Sequence, residues 1–281
     1  MEAFLNLFNE IEEIKTGFSK DRLFKCTDEY GDYHLCRFFK IKNMGKASEQ
    51  YEVLKALKGM SGFQQVEYIL KCQDGEHGVL VYDWVDGINL RDYLKEYPDR
   101  QYELGKQAGE LLLGLHNLKI PHQYPISYQT NRLKKFENDL LKTKEIGLEF
   151  DQMDDLINQF HEHKSEYLVE QMVQCHGDFH SGNMVIDENN KITLIDFGSC
   201  HLGDPSDDLN ALIFFDDIDF IKGVLDAYQP TPQILQNTRV VLSASPRSAL
   251  WATTNHGSQQ VQFMIDLNQK VQEKIDKILI P

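Results

Sequence analysis

The sequence predicts an α+β chain in two lobes: a small antiparallel-sheet lobe with one helix over residues 1–85, and a larger, mainly helical lobe over 86–281. Three observations carry this. From about residue 11 to 85 the chain is rich in short β-prone runs separated by turn residues. From residue 90 onward apolar residues recur at helical spacing. One hairpin signal, "NMVIDENNKITLIDFG", stands alone among those helices.

The opening "MEAFLNLFNEIEEIK" carries acids where a signal peptide needs a basic region, so it reads as a first helix and the protein as cytoplasmic. "RLFKCTDEYGDYHLCRFFKI" is a hairpin around the turn residues "DEYGD". "ASEQYEVLKALKG" reads as a helix stopped at Gly59. "QVEYILKC" and "HGVLVYDWV" form a second strand pair, and "WVDGINL" is the natural hinge between the lobes. Beyond it, Leu104, Ala108, Leu111, Leu115 and Leu118 make one helical stripe. Leu133, Phe136 and Leu140 make a second, and Met153, Leu156, Ile157 and Phe160 a third. A C-terminal stripe runs from Val261 to Ile278 with Asn268 as a polar break. These stripes are assigned to packing.

Five scattered cysteines, an odd number without paired spacing, argue for reduced thiols over disulfides or a zinc knuckle. A formal charge of −15 makes nucleic acid a poor partner and a cation a better one. No apolar run reaches the length of a membrane span. The expected state is a monomer or homodimer without membrane or nucleic-acid partners.

The chemistry concentrates in "HGDFHSGN", His176 to Asn183. His176, Asp178 and His180 could ligate zinc or iron, and a glycine turn holding a core histidine is the plainer reading. Asn183, five positions after Asp178, and Asp196, at the end of "ITLID", shift the balance. Asp-x-x-x-x-Asn followed by a strand and Asp-Phe-Gly is the order of a kinase catalytic loop. Asp178 is suited to accept or orient the proton of an attacking hydroxyl. Asn183 and Asp196 offer hard oxygen ligands for Mg²⁺ on nucleotide phosphates. A zinc enzyme has no use for that Asn and second Asp.

"CHGDFHSGNMVIDENNKITLIDFGSCHLGDPSDDL" resembles the signature of the aminoglycoside phosphotransferase family, which has the protein-kinase-like fold. The family's HGDxHxGN is matched at every fixed position, over about 35 residues of close likeness in all. The resemblance implies Asp178 as catalytic base, Asn183 and Asp196 as metal ligands, and His176 as a brace. It implies ATP or GTP with Mg²⁺ as cofactors and a small-molecule acceptor. "TGFSKDRLF" is similar to the family's loop over the phosphates, with Ser19 as a donor. The basic residue of the third strand falls on Arg37, where many relatives have Lys. Its helix partner, normally Glu, falls on Gln50, beside Glu49. The adenine-gripping hinge falls on Tyr82, Asp83, Trp84 and Val85. Asp204-Pro205 reads as a helix start. Residues 192–221 hold seven Asp and no Lys or Arg. A solvated acidic face is the plainer reading of such a run, but the family builds its acceptor pocket just beyond the metal site, so the resemblance implies that Asp207, Asp208, Asp216 and Asp217 line that pocket and draw in a cationic alcohol such as an amino sugar. Choline- or ethanolamine-type kinases, kinases of sugars or amino alcohols, and a catalytically weak nucleotide-binding protein are the alternatives within this fold.

Overall fold

A computed structural model describes residues 1–15, 21–119 and 128–279. It divides into two compact units, Met1–Tyr93 with Gly182–His201, and Leu94–Ser181 with Leu202–Pro281. The functional hairpin thus belongs to the first unit, although it follows most of the second unit's chain up to Ser181.

The first unit is a five-stranded antiparallel sheet of order β1-β2-β3-β5-β4. Its strands are β1 (Glu10–Ile14), β2 (Arg22–Thr27), β3 (Tyr33–Lys40), β4 (Val66–Lys71) and β5 (His77–Asp83). The hairpin expected at 22–40 forms because Asp28 closes its turn, its Oδ1 accepting the amides of Tyr30 and Asp32, with Gly31 at φ 90°. Strand alternation then sorts the faces. Phe24, Cys26, Cys36, Phe38, Val79 and Val81 form one apolar core with Leu5 and Cys72. Arg37 and Tyr82 alternate with these core residues along β3 and β5, and both reach α2 (Met44–Ala56) through Gln50.

The first helix expected from the sequence shrinks to α1 (Glu2–Leu5), and Glu10–Ile14 is a strand instead. Helix propensity in "EIEEI" is weak beside an available sheet edge, where Ile11 pairs with Cys26 and Ile14 with Leu23.

β8 (Met184–Ile186) and β9 (Ile192–Leu194) form the expected isolated hairpin. A short hairpin alone is marginal, and here it gains β6 (Ile88–Asn89) as a third strand. Leu194 also exchanges backbone hydrogen bonds with Gly62 and Gln64, and the Asn89 side chain donates to the Gly182 carbonyl at 2.7 Å.

The second unit is helical, opening on the last turn of α3 (Leu90–Glu96). α4 (Gln101–His116), α5 (Tyr128–Glu145) and α6 (Met153–His163) carry the three stripes read from the sequence. All four apolar residues of the α6 stripe are buried, whereas α4 buries Leu112 more fully than Leu111. A short β7 (Val173–Cys175) leads into the catalytic-loop sequence, and β10 (His201–Gly203) precedes α7 (Ser206–Phe215). Next come α8 (Ile218–Tyr228), α9 (Pro232–Ser243) and α10 (Arg247–Asn255). The C-terminal stripe is split into α11 (Ser258–Asn268) and α12 (Val271–Ile278), with Asn268 buried and donating to Ser248 Oγ at 2.9 Å.

α4 and α8 touch backbone to backbone. A Cβ on Gly105 would lie 2.3 Å from the Phe220 carbonyl oxygen, and one on Gly223 2.1 Å from that of Tyr102. Among the described residues no helix is long and apolar enough to cross a membrane.

Candidate active site

The first unit brings together the residues read as phosphate and metal ligands. The register Met184↔Leu194 and the bond from Ile195 N to Asn183 O set Asn183 and Asp196 at the same end of the β8–β9 hairpin. Asn183 closes a 3₁₀ turn, Ser181–Asn183. Asp196 takes the left-handed conformation at φ 58°, rare for a residue with a Cβ, and its Oδ1 accepts the Gly198 amide at 3.3 Å. Such backbone is kept where the surroundings impose it, and here it presents an exposed carboxylate. An amide oxygen and a carboxylate at one hairpin end are a donor set that fits Mg²⁺.

Arg37 lies on the same ground. Its Nη2 donates to Gln50 Oε1, and Gln50 Nε2 donates to the Tyr82 hydroxyl at 3.0 Å. That resolves the helix register: Gln50 is buried as the partner, and Glu49 is exposed. An arginine has only donors, so the Gln50 amide is oriented oxygen-first toward it. Burial pushes the Tyr82 hydroxyl up to about 12, keeping it a neutral hydrogen-bonding group. The Nε of Arg37 faces Asp21 Oδ2 at 3.5 Å. A Cβ added to Gly198 would lie 3.0 Å from Asp196 Oδ1 and 3.2 Å from Arg37 Nη1, so a larger residue there would press on both side chains.

At the expected hinge, Tyr82 to Val85, two of the backbone donors are in use. The amides of Asp83 and Trp84 are already engaged, donating to Gln65 O and Tyr33 O at 3.1 Å each. The Tyr82 side chain serves Gln50, and the Trp84 ring covers Lys25 Nζ at 4.4 Å. Those two amides are committed to the sheet and its flank. Ser19 lies outside the described residues.

The second unit holds the loop with Asp178. Its carboxylate is 43% exposed, and His180 Nε2 stands 3.4 Å from Asp178 Oδ1. The His180 ring packs on Phe215 at 4.6 Å between centroids. His176 is fully buried, edge-on to Phe179. Gly177, at φ 82°, makes the bend. The loop is held from α7. Asp208 accepts hydrogen bonds from the Gly177 amide through Oδ1 and, through Oδ2, from the His176 amide and the imidazole Nε2 of His116. His116 Nδ1 meets the Tyr228 hydroxyl at 2.7 Å. Asp216 accepts the amide and hydroxyl of Ser181.

This corrects the acidic-run expectation. Asp208 is wholly buried and its oxygens are occupied by the loop. Asp216 is 5% exposed and holds Ser181. Asp207 is forked by Arg132 and takes the Tyr128 hydroxyl at 3.0 Å. Of the four, Asp217 alone is exposed, with Gln101 Nε2 at 3.2 Å. A buried carboxylate costs heavily unless hydrogen-bonded, so those folded inward are the ones with donors to serve. Asp204 does start α7, its Oδ1 accepting the Ser206 amide at 3.0 Å, with the helix beginning one residue later than expected. Sequence reading missed Asp21, His116 and Tyr228: each is a single residue whose role depends on partners distant in sequence.

The sequence profile of the phosphotransferase enzyme family matches residues 10–238. No curated protein sequence matched this chain. Among solved structures, the GDP complex of aminoglycoside 2'-phosphotransferase-IIIa is similar at 18% identity and TM-score 0.74, covering 96% of this chain and 94% of that one. The spectinomycin phosphotransferase complex with ADP and spectinomycin matches at 11% identity and TM-score 0.67, covering 97% and 94%. The macrolide 2'-phosphotransferase of Brachybacterium faecium matches at 12% identity and TM-score 0.67, covering 95% and 98%. At these identities the structures speak for the fold, which is protein-kinase-like. The profile spans most of the chain and takes in both Asp178 and Asp196, and on that match the chain belongs to the phosphotransferase enzyme family.

Proposed function

We propose that this protein transfers the γ-phosphoryl group of ATP or GTP to a hydroxyl of a small cationic alcohol, with an amino-sugar antibiotic as the leading acceptor class. Residues 1–85 are read as the nucleotide-binding lobe and 86–281 as the lobe for catalysis and acceptor. The observation that carries the reading is the shared hairpin end of Asn183 and Asp196, five and eighteen residues after an Asp178 whose loop is braced by Asp208.

Asp178 accepts the acceptor hydroxyl's proton as the new P–O bond forms and the bond to the β-phosphate oxygen breaks. Asn183 and Asp196 would hold Mg²⁺, which neutralises phosphate charge when bound. Arg37, aimed by Gln50, binds phosphate oxygens with its fork. The net charge of −15 supports a cationic acceptor by long-range attraction, and Asp217 is the run's exposed contributor.

A turnover screen with Mg·ATP and Mg·GTP over amino sugars and amino alcohols tests this. A phosphorylated product from a cationic acceptor is expected. Nucleotide binding without transfer to any acceptor would favour the second reading, a catalytically weak nucleotide-binding protein. That reading is motivated by the neutral Gln50 at the place of an ion-pair partner.

A further inference from the structure

The helix partner of Arg37 fixes its direction without balancing its charge. Gln50 accepts one hydrogen bond from Nη2 and passes its own amide to Tyr82. Glu49, the neighbouring acid on α2, is exposed. Yet the Arg37 side chain is only 13% exposed, and a cation so far out of water needs a counter-charge.

Two carboxylates stand near it. Asp196, by way of Gly198, is one. On the proposed function its oxygens belong to the metal, so it cannot also serve the guanidinium. The other is Asp21, whose Oδ2 faces Nε at 3.5 Å, an ion-pair distance without a hydrogen bond. Arg37, Lys46 and Asp196 are among the charged groups acting on Asp21. The three nitrogens of the fork are thereby distributed: Nε to Asp21, Nη2 to Gln50, and Nη1 beside Gly198 and Asp196.

We propose that Asp21 is a positioning residue for the nucleotide, supplying from the entry of β2 the counter-charge that α2 does not supply. The direction-setting and charge-balancing roles, which one glutamate could fill, are then divided between Gln50 and Asp21. The proposal rests on Arg37 being a phosphate ligand.

The divided arrangement can be tested by recombining it. Asp21→Ala should raise the ATP KM by about fivefold or more, with the acceptor KM held within about twofold. Adding Gln50→Glu to Asp21→Ala returns the charge through the helix and should bring the ATP KM back to within about twofold of the parent. Asp21→Glu should retain most of the parent affinity, and melting curves on each variant report folding. An ATP KM that is unchanged in Asp21→Ala overturns the proposal. So does a lowered one, the sign of a carboxylate that merely competes with phosphate for the fork. A loss that Gln50→Glu does not recover overturns it as well. Arg37→Ala, run alongside, separates the layers. If it is damaging while Asp21→Ala is silent, the counter-charge alone fails; if Arg37→Ala is itself silent, the phosphate-ligand reading fails too.

Discussion

Asp208 Oδ1 accepts a hydrogen bond from the Gly177 amide at 2.7 Å, pinning the bend of the loop that carries Asp178. Its other oxygen serves the His176 amide and the His116 ring, each at 2.9 Å. In Asp208→Asn one of those donors must face an amide NH₂. A buried donor left unsatisfied costs about 1–3 kcal/mol, or roughly 2–4 °C of Tm per kcal/mol in a chain of this size. Asp217→Asn, on an exposed group, should stay within about 0.5 kcal/mol of the parent. Melting the two side by side checks the assignment: equal stability would mean the Asp208 bonds contribute nothing.

Asp178→Asn should fold like the parent, because the side chain is nearly isosteric and 43% exposed. Turnover should fall by about 10²–10⁴-fold, the usual worth of a general base. Steady-state kinetics decide this, and a variant retaining about a tenth of parental kcat or more would remove Asp178 from that role.

Asp196→Ala should eliminate the Mg²⁺-dependent part of nucleotide affinity. Titration calorimetry with and without Mg²⁺ isolates that part, and an affinity insensitive to the change would place the metal on other residues. The same variant keeps a Cβ in the left-handed backbone and loses the bond to the Gly198 amide, so melting should show no gain in stability.

Lys274 gives the chain a pH signature. Its ammonium, 7% exposed, donates to the carbonyls of Ile213 and Phe214 at the end of α7. Burial lowers it from 10.5 to about 8, opposed by Asp216 and Asp217. The folded state therefore sheds this proton before the unfolded state does. Stability rises as pH climbs from about 8 toward the unfolded value, and below that window the buried charge costs about 3 kcal/mol. Denaturant unfolding from pH 7 to 10 should show that rise in the parent and a flatter profile in Lys274→Met. Parallel profiles would show that Lys274 is not the source.

The acceptor KM should increase with salt, since screening shortens the reach of exposed charge to ~8 Å at physiological ionic strength. Asp217→Asn should raise the acceptor KM more than the ATP KM. A neutral sugar as best acceptor, with a salt-independent KM, would end the case for a cation.

What the sequence displays is spacing, and what spacing encodes was read well. Asp28 and Gly31 mark a turn, the α6 stripe is buried residue for residue, and Asn183 and Asp196 meet at one hairpin end. What it hides is the direction a charge faces. Asp207, Asp208 and Asp216 look like part of an acidic surface until their partners Arg132, Gly177 and Ser181 are seen, up to 75 residues away in sequence. Likewise "EIEEI" is a helix by composition and a strand by what it pairs with. Gln50 was legible as a position, whereas Asp21 became visible only across the sheet from Arg37.

Because Gly182–His201 belongs to the first unit, the order of synthesis differs from the order of assembly. The five-stranded sheet has all its strands once Asp83 has left the ribosome. The sheet of β6, β8 and β9 must wait for Leu194, with residues 94–181 made in between. A nascent chain therefore carries the Ile88–Asn89 edge unpaired until Val185 and Ile186 have been made, the kind of edge that invites wrong partners. A fragment ending at Tyr93 would own Arg37, Gln50 and Asp21 but neither Asn183 nor Asp196. Truncated or interrupted products should thus be inert toward metal-bound nucleotide, so that only a chain read past the hairpin acquires chemistry.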